Sequence, residues 1–114
     1  EIVSVGLTPD EAKEAGEEII TGKFPLAANG RALTMEAEKT GGFVRVVARA
    51  SDHVILGVQA TGSHVSELSG EFTLALEMGA VLEDIAGTIH AHPTMTESFH
   101  EGVLKTLGHA IHSA

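Results

Sequence analysis

Cysteine is absent from this 114-residue chain, which excludes a disulfide framework, a thiolate nucleophile and a Cys-based zinc site. Any redox sulfur must come from elsewhere. Basic residues are scarce: seven Lys and Arg stand against sixteen Asp and Glu, a formal charge of −9. A polyanion would be repelled overall, so no nucleic-acid partner is expected. Long apolar runs are missing as well. No stretch reaches the length of a membrane span, so no membrane partner is expected, and Glu1-Ile2-Val3-Ser4-Val5 lacks the basic start and apolar core of a signal peptide. There is no G-x-G-x-x-G or P-loop string to bind a nucleotide, and no G-x-S-x-G to support a serine hydrolase.

What is present describes a folded domain. Apolar residues make up 43% of the chain and charged residues 20%, a balance that argues against disorder. The length suits one domain with a real core and is too short for a nucleotide domain joined to a catalytic one. The chain opens on Glu1 rather than Met and runs directly into apolar residues. Residues 1–114 are therefore expected to be a single domain cut from a longer protein, and missing targeting signals say little about the parent.

Local signals set out the elements. Thr8-Pro9-Asp10-Glu11 combines an N-cap, a proline at the first helical position and a capping-box glutamate, which predicts a helix to about Ile20, closed by Thr21-Gly22. Phe24 to Met35 reads as extended chain or irregular loop, broken by Pro25 and Asn29-Gly30. Lys23 and Arg31 read as surface charge rather than an anion site, and Gly41-Gly42 as a turn. Phe43–Arg49 and Val54–Ala60 are β-branched runs around Ala50-Ser51-Asp52-His53 and predict a hairpin. Arg45 and Arg49 share a face with Phe43 and Val47, so that face is partly wet or bridged. Val65, Leu68, Phe72, Ala75 and Leu76 then recur at helical spacing, predicting a helix over 63–78 with Gly79 as its stop. A short helical turn follows over 81–86, closed by Gly87. A last helix over 96–112 aligns Phe99, Val103, Leu107 and Ala110 or Ile111. The fold class is α+β, strands first and helices last, an antiparallel sheet with helices packed on it.

The segment His90-Ala91-His92-Pro93-Thr94-Met95-Thr96-Glu97 carries the chemistry. Pro93 fixes its own φ and pushes His92 out of the α region, so the backbone turns where the imidazole is presented. Thr94 to Glu97 is a T-x-x-E string at a helix start. A carboxylate there could accept from one nitrogen of His92, fix the tautomer and leave the other nitrogen to take a proton. The plainer reading is a capping glutamate beside an ordinary turn histidine. Seven histidines also raise a metal reading through His90 and His92, Glu97 and His100, and His109 and His112. Di-iron bundles need E-x-x-H on two helices and this chain has it once, so no metal site is expected. His53, His64, His109 and His112 are expected at the surface.

The string Ile89 to Glu97 resembles the C-terminal active-site motif of dihydrolipoamide dehydrogenases, members of the flavin disulfide reductase family. Ser4-Val5-Gly6-Leu7-Thr8, Lys23-Phe24-Pro25-Leu26-Ala27-Ala28-Asn29-Gly30-Arg31-Ala32 and Gly57-Val58-Gln59-Ala60-Thr61-Gly62 occur in the order of that family's interface domain. The resemblance thus covers nearly the whole chain. Met95 and Thr96 stand where the family usually has Leu and Ser, and His90 favours the dihydrolipoamide branch.

The resemblance implies a dimerisation-domain fold and, for the intact homodimer, oxidation of dihydrolipoamide on lipoyl-bearing proteins of 2-oxoacid dehydrogenase or glycine-cleavage complexes, through a redox disulfide and FAD to NAD. It implies that His92 is the acid/base, that Glu97 orients it, and that His92 and Pro93 lie near the flavin of the partner subunit. A cis His92-Pro93 bond is within that pattern. The implied location is the cytoplasm, or the mitochondrial matrix in a eukaryote. The alternatives are the interface domain of another flavin disulfide reductase, or a non-catalytic interaction domain. Without the Cys pair and the FAD and NAD domains, the chain alone is expected to be inactive and to bind no cofactor.

Overall fold

The β-branched runs pair into a four-stranded antiparallel sheet in a computed structural model that describes residues 1–26, 41–92 and 94–113, with side chains described to residue 108. In chain order the described elements are β1 (Ile2–Gly6), α1 (Pro9–Glu14), β2 (Ile19–Pro25), β3 (Phe43–Arg49), β4 (Ile55–Thr61), a 3₁₀ turn (Val65–Leu68), α2 (Ser69–Glu77), α3 (Leu82–Ala86) and α4 (Thr96–Ser113). The strand order is β1-β4-β3-β2. The predicted hairpin forms the centre of the sheet, with Phe43 opposite Thr61 and Val46 opposite Val58, and the register shifts between Val47 and Ala48. The α+β class and the helix-covered antiparallel sheet are as expected. The readings on residues 27–40, on Pro93 and on the side chains of His109, Ala110, Ile111 and His112 lie outside the described residues.

The first helix is shorter than its pattern implied. Its start is the predicted one: the Thr8 hydroxyl accepts from the Glu11 N–H at 3.2 Å, and the Glu11 carboxylate accepts from the Thr8 N–H at 2.9 Å. The backbone bond from Thr8 is the main cause that holds the Glu11 carboxyl below its ordinary value. The helix stops at Glu14 because Gly16 takes φ +83°. Gly16 N–H then bonds Lys13 O and Glu17 N–H bonds Ala12 O, the paired hydrogen bonds of a glycine-terminated helix. Ile19 and Ile20 are not helical; they open β2 opposite Arg49 and Ala48. Thr21-Gly22 is strand interior rather than a stop. For β-branched residues, a sheet partner outweighs a thin helical stripe. β1 was not anticipated, and its placement puts α1 between two strands, so strands do not all precede helices.

Both arginines on the outer face of β3 are bridged, as expected. Arg45 Nε donates to Gln59 Oε1 at 3.0 Å and Gln59 in turn donates to Leu7 O at 2.9 Å. Arg49 Nε meets Glu17 at 2.6 Å and its Nη1 meets Asp52 at 3.1 Å. Lys23 is exposed, with its ammonium 4.4 Å from the Phe43 ring centroid.

The other face carries the core, where Val44, Val46, Ala48, Val58 and Ala60 meet Leu68, Phe72, Phe99 and Val103. Phe72 of α2 and Phe99 of α4 meet edge to face with centroids 4.8 Å apart, a geometry worth about 0.5–1.5 kcal/mol beyond burial. The helix expected over 63–78 begins later, as the 3₁₀ turn at Val65, after His64 in the left-handed region. It ends at Gly79 as predicted, with Ala80 N–H on Ala75 O and Gly79 N–H on Leu76 O.

Helix α4 comes close to the sheet at Gly22. A Cβ there would stand 2.3 Å from Thr106 Oγ1 and 2.5 Å from Thr106 N. The obstacle includes helix backbone, which cannot swing aside. Gly108 of α4 has open space around its position. Gly22→Ala is therefore expected to destabilise the chain by about 1–3 kcal/mol, and Gly108→Ala to stabilise it by up to about 1 kcal/mol. Thermal unfolding of both variants checks this; a Gly22→Ala melting temperature equal to wild type would mean that α4 is not seated on β2 as described.

Candidate active site

The site loop leaves α3 and enters α4. The hairpin turn is joined to α3 by Leu82 N–H bonding His53 O at 2.9 Å and by His53 Nδ1 lying 2.8 Å from Glu83 Oε2. That imidazole is the main cause holding the Glu83 carboxyl below its ordinary value. His53 is accordingly half-buried, a correction to the surface position expected for it, whereas His64 is exposed as expected. Val81 N–H bonds Asp84 Oδ2 at 2.9 Å at the start of α3, and Gly87 ends the helix as predicted.

From Thr88 to His92 the chain has no helix or strand, and Ile89 is 96% exposed. His92 stands at the loop's far end with its side chain 75% exposed. Its Nδ1 lies 2.9 Å from Glu97 Oε1 and 3.1 Å from Oε2. Since a carboxylate only accepts, Nδ1 is the donor. Nε2 has no hydrogen-bond partner among the described residues, so its lone pair points outward.

Glu97 makes both contacts that the sequence had set against each other. Its Oε1 also accepts the Thr94 N–H at 3.0 Å, the backward half of a capping box. The Thr94 hydroxyl donates to Ala91 O at 2.6 Å and lies 2.7 Å from the Thr96 hydroxyl. Below this turn Met95, Ser98 and Phe99 are buried, and the Ser98 hydroxyl bonds Met95 O. The helix start is thus pinned from beneath while its carboxylate holds the imidazole above. An exposed imidazole with one nitrogen tied to a carboxylate and the other presented to solvent is built to exchange a proton.

The metal strings separate in space. His90 turns inward to Glu71, His92 outward to Glu97, and His100 Nε2 donates to Ala86 O at 3.1 Å. Among the described residues no group of three or more His, Asp or Glu side chains is placed to hold a metal ion, and no helix is long and apolar enough to cross a membrane. Glu71 escaped the sequence reading. It lies 19 residues before His90, with no local motif linking the two.

The chain matches the family model described as pyridine nucleotide-disulphide oxidoreductase, dimerisation domain, over residues 1–103, and belongs to that family. Within it, the chain is similar to dihydrolipoyl dehydrogenases along nearly its whole length. It is 58% identical to that of Pseudomonas aeruginosa over 98% of this chain and 24% of the relative. Dihydrolipoyl dehydrogenase 2 of Haloarcula marismortui is 51% identical over 99% of this chain and 24% of the relative. The chain therefore spans about a quarter of these curated relatives. Among solved structures it is similar to LpdA from Mycobacterium tuberculosis, with TM-score 0.81 and 25% identity over 90% of this chain and 22% of that one. The flavoprotein disulfide reductase RclA from Escherichia coli shares the fold, with TM-score 0.82 and 24% identity over 90% of this chain and 23% of that one.

The Glu97 contact sets the His92 tautomer. Neutral His92 is expected to carry its proton on Nδ1, and Glu97→Ala should release it to the Nε2-H form that an unconstrained imidazole favours. The same change removes an acceptor at the helix start and is expected to cost about 1 kcal/mol. Nitrogen-15 NMR of the imidazole reads the tautomer directly; the same tautomer in both proteins would show that Glu97 does not orient the ring.

Proposed function

We propose that this chain is the C-terminal dimerisation domain of a dihydrolipoamide dehydrogenase and lends the acid/base pair His92 and Glu97 to an active site completed by a second subunit. In this reading residues 1–114 are one interface domain of a longer polypeptide whose remaining parts hold FAD and NAD. The observation that carries it is the His92–Glu97 couple: one nitrogen tied at 2.9 Å, the other presented outward from a side chain 75% exposed. An acid/base serving its own domain would sit in a cleft of that domain; this one faces away from its own core.

In this reading the flavin and dinucleotide sites belong to the other parts of the polypeptide, since the sequence has no G-x-G-x-x-G string to cradle a pyrophosphate. FAD and NAD would supply the electron acceptors in the intact enzyme, and the resemblance implies that His92 and Pro93 would lie near the partner's flavin. Oxidation of the dithiol to a disulfide releases two electrons and two protons. His92 Nε2 takes a proton from a substrate thiol, producing the thiolate that is the reactive nucleophile. Glu97 holds the ring by Nδ1 and accompanies the imidazolium that forms. The substrates are lipoyl groups on carrier proteins of 2-oxoacid dehydrogenase or glycine-cleavage complexes, and the compartment is the cytoplasm or mitochondrial matrix.

The dimer reading is supported by an apolar groove of about 220 Å³ lined by Leu74, Ala75, Met78, Ala80 and Ile85. Leu74 is 60% exposed and Met78 74%, apolar surface of the kind that subunit contacts cover. Sedimentation of the chain at micromolar concentration is expected to show a dimer that Met78→Lys weakens. A strictly monomeric wild-type chain would count against this face as a sufficient interface.

In the intact enzyme, His92→Gln is expected to lower kcat by about 10²- to 10⁴-fold, the usual range for a lost general acid/base. Flavin content and dimer should persist. Glu97→Gln keeps an acceptor for the Thr94 N–H and is expected to slow turnover without unfolding the domain. Near wild-type turnover of dihydrolipoamide by His92→Gln would end this reading.

A further inference from the structure

Residues 88–92 carry His92 on a loop without regular structure, and His90 is the one side chain of that stretch turned inward, only 6% exposed. Three contacts surround it. Nε2 lies 2.7 Å from Glu71 Oε2 on α2, and Nδ1 lies 3.1 Å from Thr88 O. The ring also rests against His100 of α4, with centroids 5.1 Å apart and planes tilted by 32°. Both polar neighbours are acceptors, so the bond to Glu71 is made by a ring that carries its proton on Nε2. His100 is itself fixed, by its bond to Ala86 O.

We propose that His90 is a positioning residue for His92, its ring clamped between Glu71, the Thr88 carbonyl and His100 so that the loop presents His92 in one direction. This rests on the reading of His92 as the acid/base. His92 is held on one side by Glu97, which fixes the ring, and the Ala91 carbonyl just before it accepts the Thr94 hydroxyl. The backbone two residues upstream is tied by His90 to α2. Cutting that tether frees the short stretch between Thr88, which is bonded back to Asp84 and Ile85, and Ala91, whose carbonyl accepts the Thr94 hydroxyl. A displacement of about 1 Å at a reacting group costs on the order of 10² in rate. A histidine merely filling space would make no such demand on its hydrogen bonds.

The test uses the intact enzyme with His90→Phe, which keeps ring volume and the contact with His100 while removing both hydrogen bonds. Expected is a fall in kcat of about 10- to 100-fold, with KM, flavin content and dimer little changed. Because His90 acts through His92, the double variant His90→Phe/His92→Gln should turn over no more slowly than His92→Gln alone. Glu71→Ala should show the same non-additivity, and it replaces His90→Phe if that variant loses flavin. Glu71→Gln, whose amide oxygen still accepts from the ring, should recover part of the loss. Wild-type kcat in His90→Phe, or losses that multiply in the double variant, would overturn the positioning role while leaving the acid/base reading intact. Wild-type turnover in His92→Gln alone would overturn the acid/base reading and the positioning role with it.

Discussion

The seating of α4 on β2 and β3 is the constraint from which the site follows. Gly22 lets the backbone of Thr106 come down onto the strand, and Gly102 faces Val44 and Val46 at ordinary contact distance. Thr106 is fully buried and returns its hydroxyl to Gly102 O at 2.8 Å, so the contact leaves no polar group stranded. Once that contact is made, the direction of the helix is set over its length. Phe99 then meets Phe72, which locks α2 alongside. The first turn of α4, with Glu97 on it, is thereby set beside α2.

At that first turn one carboxylate joins structure to chemistry. A helix start offers unpaired N–H groups and the positive end of the helix dipole, and both favour a negative side chain. Glu97 takes one of those N–H groups from Thr94 and uses its remaining lone pairs for the His92 ring. The group that starts the helix is therefore the same group that meets the imidazole. The opposite side of the loop is tied to α2 through Glu71, whose side chain also lines the apolar groove. The apolar groove and the loop that carries His92 thus share a residue.

The legible parts of the fold were those with local causes. The Thr8 capping box, the β-branched hairpin, the glycine stops at Gly79 and Gly87 and the stripe of Phe99 and Val103 each depend on residues within one or two turns of one another, and each stands where the pattern put it. The failures have a common cause. Ile19 and Ile20 fit a helical stripe but were claimed by Arg49 and Ala48 across the sheet, and Gly16, the true stop, was passed over. β1 alternates correctly, with Val3 and Val5 turned inward and Ile2 and Ser4 outward. It is too short to be recognised as a strand without β4 beside it. His53 looked like a turn residue and is one, yet Glu83 thirty residues on covers it.

The site divides along the same line. His92 and Glu97 lie five residues apart, across a proline and a helix start, and the sequence alone determined that pairing because both groups belong to one turn of chain. It likewise determined the helix caps, the strand-forming runs and the absence of any cysteine or nucleotide cradle. Only the tertiary structure decided that Glu97 caps and orients at once, that His90 faces inward, and that Glu71 is its partner. Those choices depend on how closely α2 and α4 approach across the sheet, a distance set by packing at Gly22, Thr106, Phe72 and Phe99 that no local pattern encodes.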